Sequence, residues 1–473
     1  MTPLRARALT VFLAATVLLA ATFAGCPSST PQVPEGGQTG PTIGGGAAVG
    51  ELFVRAPVDP AVRAAELAEQ KKARDARWLT LQQKHKSEPA DELWTRADKS
   101  ENDQNWKDAE DALVAFAVHH TGEARAPLAA QRAMLMAFRR GEYGEGFQLA
   151  EDALLGIDDP LRHARLARVL GNAYLAVPHW GTTRGGEFLR NRSEQGKQVQ
   201  THREDRARAI ELLEEARAQF ASADAGSDAA VRAERIEAEL DLVTAVARFT
   251  WFDSTWGYWW YAWGSEADDG LADAEGEDER ADEWRYSGWW GAELQRARPK
   301  GLEVTPTGDV VFVPTPKSYA PELDDTAKLK FLLGEAEALD ATPEKTQAAR
   351  ALMLRALLFR TRDGAERLDR LASWWWEGSN PYKKDVEGRK LATMADDEVL
   401  GLVATHIGVY RVPDDECVPK LLARLAQQYP KTPEAEQATL QLGWFHQSRE
   451  QYPRALDVYR RLLASHPGGA GAS

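Results

Sequence analysis

The amino-acid sequence predicts an all-α fold, an α-solenoid of repeated helical hairpins that is interrupted by one insertion. Apolar residues recur at helical spacing in one segment after another, and alanine, leucine, glutamate and arginine dominate between glycine-containing breaks. A pattern of two short helices joined by a tight turn also recurs along the chain. Because one such hairpin cannot bury its own apolar face, hairpins of this kind stack on neighbours. The insertion combines a tryptophan-rich stretch, an acidic stretch and one small β-hairpin.

The clearest hairpin lies at residues 433–467. Its first helix carries Ala438, Leu442 and Phe445 at helical spacing, and its turn falls around residues 448–453. The proline at position 453 is compatible with a helix because it lies in the first turn. The second helix carries an apolar face formed by Ala455, Leu456, Tyr459, Leu462 and Leu463.

The 433–467 hairpin resembles a tetratricopeptide repeat, a helix–turn–helix unit of about 34 residues. The residues that match the family's Leu-Gly pair and its small, aromatic and terminal proline positions are Leu442, Gly443, Ala455, Tyr459 and Pro467. The sequence departs from the family pattern at Thr439, which replaces a tryptophan, and at His446, which replaces a tyrosine.

This resemblance implies a non-enzymatic interaction surface for a protein or peptide partner. In tetratricopeptide repeats the first helices line a concave groove. By resemblance, the partner-binding residues of the last repeat are Gln437, Leu440, Trp444, Gln447 and Ser448. Trp444 is the expected anchor, because buried aromatic side chains dominate the energy of many interfaces.

Three further segments match the hairpin layout more loosely. Residues 397–430 are predicted to form helix, turn, helix and closing proline, and residues 132–155 another hairpin. Residues 165–174 begin a further copy, with Leu170 and Gly171 at the Leu-Gly pair, and its second helix is expected at 207–220. Residues 180–204 would then be a loop insertion. A generic bundle of helical hairpins is the alternative interpretation of all three.

Helical periodicity extends beyond these copies. The additional helices are predicted at 61–85, 104–120, 229–252, 325–339, 346–360 and 365–376. On this basis residues 51–250 form degenerate helical repeats, and residues 319–473 form further repeats that end in tetratricopeptide units.

Residues 251–318 form the predicted insertion. Trp256, Trp259 and Trp263 lie on one helical face, so their rings either pack into the core or form an aromatic platform for a sugar or peptide. The acidic run at 266–283 lacks the glycine and glutamate spacing of a calcium-binding loop, and it is expected to be solvated. Residues 301–314 carry two short β-branched runs around a Pro-Thr-Gly-Asp turn, which predicts a β-hairpin.

The first 25 residues have the features of a signal peptide, namely two arginines, an apolar stretch and small residues. The end of this segment together with the next residue, Phe23-Ala24-Gly25-Cys26, resembles a bacterial lipobox. The resemblance implies cleavage before Cys26 and attachment of lipid to this cysteine. Ordinary secretory cleavage is the alternative, because Phe23 replaces the preferred leucine.

Residues 26–50 are expected to form a flexible tether, since they contain mainly Pro, Ser, Thr, Gly and Gln. A lipid on Cys26 would hold the protein at the periplasmic face of the cell envelope. Pro27 takes the place of the aspartate that retains some lipoproteins in the inner membrane, which favours the outer membrane.

Charge and motifs exclude several functions. The formal net charge of −14 disfavours nucleic-acid binding. No zinc-protease, nucleophile-elbow, Walker or dinucleotide-binding motif is present in the sequence, and no cofactor or metal ion is predicted. Cys417 lies at the start of an amphipathic helix and is expected to be a packed residue. These features favour a lipid-anchored interaction scaffold of the bacterial cell envelope.

The order of lipobox, tether, helical repeats, tryptophan-rich middle and closing repeats gives a second resemblance, to the N-terminal region of large bacterial α2-macroglobulin-like lipoproteins. Residues 308–340 and 397–467 carry it. It implies that the chain is either the N-terminal part of a periplasmic protease inhibitor or a stand-alone relative that kept only the helical part, and the family's Cys-Gly-Glu-Gln thioester sequence is absent. An envelope glycan-binding or glycan-processing protein is a further alternative, because all-α glycan-cleaving folds can carry an acidic pair without a sequence signature.

The last predicted helix carries more leucines than one buried face requires, namely Leu456, Leu462 and Leu463. This surplus predicts a neighbour, either a further domain of a longer chain or a second protein.

Overall fold

The computed structural model describes residues 60–247 apart from 186, 193–195 and 225–227, residue 305, and residues 309–362, 390–403 and 406–465. All of these residues belong to one compact unit. Within them the protein is mostly helical, with thirteen α-helices and two small antiparallel sheets. Several predicted features lie outside the described residues: Cys26, the tether at 26–50, Trp256, Trp259, Trp263, the acidic run at 266–283 and the helix at 365–376.

The first eight described helices confirm most of the predicted helical pattern. Asn105 and Asp159 cap α3 and α6, because their side chains accept backbone N–H groups of the first turn. The helices predicted at 61–85 and 104–120 and the hairpin at 132–155 are confirmed. The bounds are α1 (Pro60–Lys84), α2 (Ala90–Asn102), α3 (Trp106–His119), α4 (Ala126–Arg139), α5 (Tyr143–Leu155), α6 (Pro160–Ala176), α7 (His202–Ala223) and α8 (Ala229–Ala247).

The second group of described helices comprises α9 (Asp325–Leu339), α10 (Thr346–Arg362), α11 (Val418–Gln428), α12 (Pro433–Ser448) and α13 (Tyr452–Ser465). The helix predicted at 325–339 is confirmed at both ends. Both helices of the 433–467 hairpin are also confirmed, with Pro453 in the first turn of α13.

Helix packing follows the order of the chain. Each helix from α2 to α12 contacts the helix that follows it. In addition, the first helices of successive hairpins contact one another, α4 with α6, α6 with α8, α8 with α10 and α10 with α12. We call these five helices the first-helix row. Helix α1 instead contacts α3 and α5, the two second helices at the beginning of the described chain.

Among the described residues, three apolar clusters lie between the helices, and neighbouring clusters share a helix. Leu212 of α7 belongs to the first cluster, and the next residue, Leu213, belongs to the second. On α10, Leu358 lies in the second cluster and Phe359 in the third. A fully buried leucine of this kind contributes about 2 kcal/mol to the free energy of unfolding. Clusters that share a helix therefore join successive hairpins into one folded unit.

Glycine permits close helix packing at the predicted positions. An added Cβ at Gly171 of α6 would lie 2.8 Å from Cγ of Leu213 on α7, and one at Gly443 of α12 would collide with the ring of Tyr459 on α13. Gly141 ends the α4 region with a φ of 79°, a conformation that glycine adopts without strain. The Leu-Gly pairs seen in the sequence therefore mark helix contacts.

The helix predicted at the start of residues 397–430 is wrong. The structure instead has a β-hairpin there, with β4 (Glu398–Val403) paired antiparallel to β5 (His406–Arg411). Gly401 and Gly408 face each other in this hairpin, and each would weaken a helix by about 1 kcal/mol. β-Branched residues around them favour extended backbone. The second predicted helix of this segment is confirmed as α11.

The loop predicted at 180–204 is largely a three-stranded sheet. Strands β1 (Trp180–Arg184), β2 (Glu187–Arg190) and β3 (Lys197–Gln200) pair antiparallel in the order β2-β1-β3. Gly181 lies where an added Cβ would meet the backbone of β2, so only glycine fits the centre of this sheet. The expectation of a single β element in the chain is therefore also wrong.

The β-hairpin predicted at 301–314 is only partly covered by the described residues, because 301–304 and 306–308 lie outside them. In the described part, the backbone N–H of Thr305 donates to the carbonyl of Asp309 at 2.7 Å and Val310 makes a bridge, whereas 311–314 belong to no strand. Pro314 and Pro316 lack the backbone N–H that a sheet needs. Val310 and Phe312 instead pack against Tyr410 of β5.

The longest stretches between successive described helices all fall between the first and second helix of a hairpin. The β1–β3 sheet separates α6 from α7, residues 248–324 separate α8 from α9, and residues 363–417 separate α10 from α11. The two ends of the second stretch meet at Arg206 of α7, whose Nη2 donates to the carbonyl of Val246 at 2.8 Å and lies 3.1 Å from Asp325. We call this side of the molecule the insertion edge.

The insertion edge continues as far as the turn between α12 and α13. Arg449 in this turn is 1 % exposed and donates through Nη1 to the carbonyl of Ala395 at 2.8 Å. Gln451 donates to the carbonyl of Met394, also at 2.8 Å. The segment that leads into β4 is therefore fixed to the last hairpin through its backbone carbonyls.

Candidate interaction surface

Polar side chains connect the helices of the first-helix row. On α6, Arg165 donates to Glu234 of α8 at 2.8 Å, and Arg168 donates to Asp241 of α8 at 2.5 Å. Arg168 also lies 3.2 Å from Glu237 of the same helix. These residues recur every three or four positions, so each set lies along one side of its helix.

The same line of contacts extends to α10 and α12. Glu237 accepts a hydrogen bond from Gln347 and lies 3.2 Å from Arg350, both on α10. Further along α10, Arg360 donates to Gln441 of α12. We call this set the polar ladder, and its members are Arg165, Arg168, Glu234, Glu237, Asp241, Gln347, Arg350, Arg360 and Gln441.

The polar ladder is partly open to solvent. The side chain of Arg165 is 51 % exposed, and that of its partner Glu234 is 33 % exposed, so this pair contributes less than about 1 kcal/mol. Arg168 is more enclosed: burial opposes its charge, but Asp241 and Glu237 outweigh burial and raise the pKa of its guanidinium. The ladder therefore presents fixed charges of both signs along one surface.

The five predicted partner-binding residues of α12 lie on its accessible side. Gln437, Trp444 and Gln447 are exposed, while Leu440 and Ser448 are half-buried. Trp444 keeps 46 % of its surface in solvent. The opposite side of α12 packs into the third cluster through Ala435, Ala438 and Leu442. An exposed tryptophan on a helix that is otherwise well packed can contact a partner without any rearrangement.

A buried ionic cluster lies on the other side of α8, and sequence reasoning missed it. Glu239 is fully buried and accepts from Nε of Arg217 on α7 at 2.8 Å. Arg217 also contacts Glu335 of α9 at 2.5 Å, and Arg235 of α8 pairs with the same carboxylate. Burial, reinforced by the nearby Glu335, raises the pKa of Glu239 to about 8 despite Arg217. The i, i+4 spacing of Arg235 and Glu239 was the only local sequence signal.

A second buried ionic cluster holds the three-stranded sheet on α7. Asp205, in the first turn of α7, accepts from Arg190 of β2 at 2.8 Å and lies 2.9 Å from Nδ1 of His179. Thr201 also donates to Asp205. Burial opposes ionisation of this carboxyl, but its hydrogen bonds to His179, Arg190 and Thr201 outweigh burial and lower the pKa of Asp205.

The remaining sequence expectations concern single residues and general properties. Cys417 is buried, and burial raises the pKa of its thiol, so the prediction of a packed cysteine is confirmed. In the described ranges, no three His, Cys, Asp or Glu side chains are grouped closely enough to hold a metal ion. None of the described helices combines the length and apolar character needed to cross a bilayer.

The sequence matches no protein-family model and has no significant similarity to a curated protein. The tetratricopeptide and α2-macroglobulin resemblances therefore stay predictions that depend on the residue patterns given above.

Proposed function

We propose that the protein is a non-enzymatic interaction scaffold of the bacterial cell envelope, and that its first-helix row binds an extended segment of a protein partner. The observation that carries the proposal is the unbroken contact from α4 through α6, α8 and α10 to α12. A solenoid of tetratricopeptide-like hairpins would present such a row on its concave side.

The chemistry of the row suits an extended peptide. Trp444 offers a rigid apolar ring, and Gln437 and Gln447 offer amide groups that both donate and accept hydrogen bonds. The polar ladder adds guanidinium and carboxylate groups at fixed spacing. A partner segment with one large apolar side chain and charged residues on either side would match this surface.

The proposal predicts that Trp444→Ala weakens partner capture. An aromatic anchor at an interface is worth about 2 kcal/mol or more on truncation, which corresponds to a loss of affinity of about 30-fold. Bait pull-down from envelope extracts, quantified by mass spectrometry, provides the measurement. Trp180→Ala is the matched control, because Trp180 is 40 % exposed but lies on β1, outside the row.

Two results would reject the proposed site. One is a set of partners that is unchanged by Trp444→Ala, and the other is an equal loss with Trp180→Ala. Circular dichroism of both variants verifies that their helices remain folded.

The envelope location in this proposal rests on the lipobox-like sequence before Cys26. We expect metabolic labelling with palmitate in the wild type and in Cys417→Ala, but none in Cys26→Ala, which should move to the soluble fraction. The chain has only these two cysteines, so the pair of variants assigns any label unambiguously. Membrane fractionation that is identical for all three proteins would contradict the lipid anchor.

A further inference from the structure

Helix α13 carries an apolar stripe that its own hairpin leaves exposed. Tyr452, Leu456 and Leu463 retain 62 %, 49 % and 52 % of their surface in solvent. Their spacings of four and seven residues place them on one side of the helix. We call these three residues the α13 stripe.

The stripe adjoins the packed side of α13. Ala455, Val458 and Leu462 are buried. Tyr459 lies between the buried and exposed sides, and its hydroxyl donates to Gln447 of α12 at 2.7 Å. The exposed stripe is therefore continuous with the groove between α12 and α13.

The preceding hairpin shows which kind of element packs on two adjacent helices. Helix α12 contacts both α10 and α11. It does so with small and apolar residues, since Ala435 and Ala438 lie in the same cluster as Phe359 of α10 and Leu422 of α11. A third helix with an apolar side is thus the element that this molecule places on two packed helices.

The positive charge of α13 indicates which charge a helix that binds the α13 stripe would carry. Helix α13 carries Arg454, Arg460 and Arg461 but only one acidic residue, Asp457, in a chain whose formal net charge is −14. Arg460 follows Leu456 by four residues and precedes Leu463 by three, so it flanks the stripe directly. Arg454 is held by Asp396 at 2.7 Å, so the charge beside the stripe comes from Arg460 and Arg461. Two copies of this face would bring these arginines together, whereas an acidic helix would pair with them.

We infer that the α13 stripe is a docking site for an amphipathic helix of a separate protein, with apolar residues at positions three and four apart and acidic residues beside them. This surface lies on the second helix of its hairpin and involves none of the residues proposed above for peptide binding in the first-helix row, except through the hydrogen bond of Gln447.

The test uses the full chain and two fluorescent model peptides of about three heptads. Both peptides have leucine at the a and d positions, and they differ in carrying glutamate or lysine at the flanking positions. In fluorescence anisotropy, we expect the glutamate peptide to bind about tenfold more tightly than the lysine peptide. The double variant L456S/L463S should lose about tenfold or more in affinity for the glutamate peptide. Leu79→Ser is the control, because Leu79 is 55 % exposed on α1.

A charge reversal provides a second, independent variant, since Arg460 is exposed and its replacement leaves the buried side of α13 intact. Arg460→Glu should reduce binding of the glutamate peptide and increase binding of the lysine peptide. Equal binding of the two peptides, or binding that L456S/L463S leaves unchanged, would overturn the inference. So would a dimer in light scattering that L456S/L463S abolishes, because the occupant would then be a second copy.

Discussion

Hairpins α4–α5 and α12–α13 differ from hairpins α6–α7, α8–α9 and α10–α11 in the way that they close. The first two close through short turns, with Gly141 or a few polar residues between the helices. The other three are interrupted at the insertion edge, where ion pairs join the described ends of the interrupting segments to the helices; two of these pairs are buried and the Arg206–Asp325 pair is partly exposed. The difference shows that a short turn is enough to close a hairpin, whereas the interrupted hairpins add ionic contacts where the irregular segments meet the helices.

The interrupted hairpins still pack closely, as the contact of Gly171 with Leu213 shows. A long connection is tolerated because the entropy cost of closing a loop grows only slowly with its length. Its polar backbone nevertheless needs partners where it meets the helices. Three basic side chains supply such partners, namely Arg190, Lys330 and Arg449. Each of them donates a hydrogen bond to a backbone carbonyl of one of these connections.

The largest expected effect concerns the ion pair that holds the segment before α11. Lys330 of α9 and Glu416 are 2 % and 0 % exposed and contact each other directly. Glu416→Ala leaves a buried lysine without this partner, and we expect a loss of about 3–5 kcal/mol in the free energy of unfolding. Urea unfolding followed by circular dichroism gives the measurement.

Glu234→Ala is the matched control for Glu416→Ala, because it removes a carboxylate from the partly exposed polar ladder. Its expected cost is less than about 1 kcal/mol. If both variants lost the same free energy of unfolding, the buried ion pairs of the insertion edge would stabilise the protein no more than the exposed ion pairs of the first-helix row.

The second prediction uses the raised pKa of Glu239. The ordinary value for glutamate is 4.5 and the folded value is about 8, so the folded protein holds a proton that the unfolded chain releases within this window. The contribution of this group to stability is therefore present below pH 4.5 and is lost as the pH rises toward 8. Each pH unit of this window corresponds to about 1.4 kcal/mol at most.

Glu239→Gln, which cannot ionise, should flatten the fall of unfolding free energy between pH 5 and pH 8, measured by urea titration. Glu237→Gln is the control, since Glu237 lies on the ladder side of the same helix. A wild-type pH dependence that survives in Glu239→Gln would show that another group is responsible.

The smallest expected effects come from replacing a glycine inside a helix by alanine. Gly443→Ala forces a methyl group into the ring of Tyr459 and should cost about 1–3 kcal/mol. Gly334→Ala, in the middle of α9 with open space around it, should instead stabilise the protein by about 1 kcal/mol. Thermal unfolding of the two variants would show shifts of opposite sign, and shifts of the same sign would refute the close approach of α12 and α13.

Local pattern predicted the regular hairpins well, because the spacing of apolar residues determines which side of a helix is buried. It placed α9 correctly at both ends, while the tetratricopeptide resemblance led to the exposed side of α12 that carries Trp444. Local pattern failed for β4 and β5, whose leucines and valines fit both helical and extended spacing over so few residues. The buried ionic clusters were not predictable, since Arg235 and Glu335 are separated by 100 residues and meet only after folding.

The shared helices of the core also bear on how the molecule opens. Leu212 and Leu213 point into different clusters from one helix, and Leu358 and Phe359 do the same on α10. Amide hydrogens of α7 and α10 should therefore exchange only when two neighbouring clusters open, whereas those of terminal helices require one. Helix α8 is shared in the same way, because Ala238 lies in the first cluster and Leu240 in the second. The cooperativity of the described part of the chain thus depends on α7, α8 and α10, and force or proteolysis applied at either end should progress hairpin by hairpin until it reaches one of them.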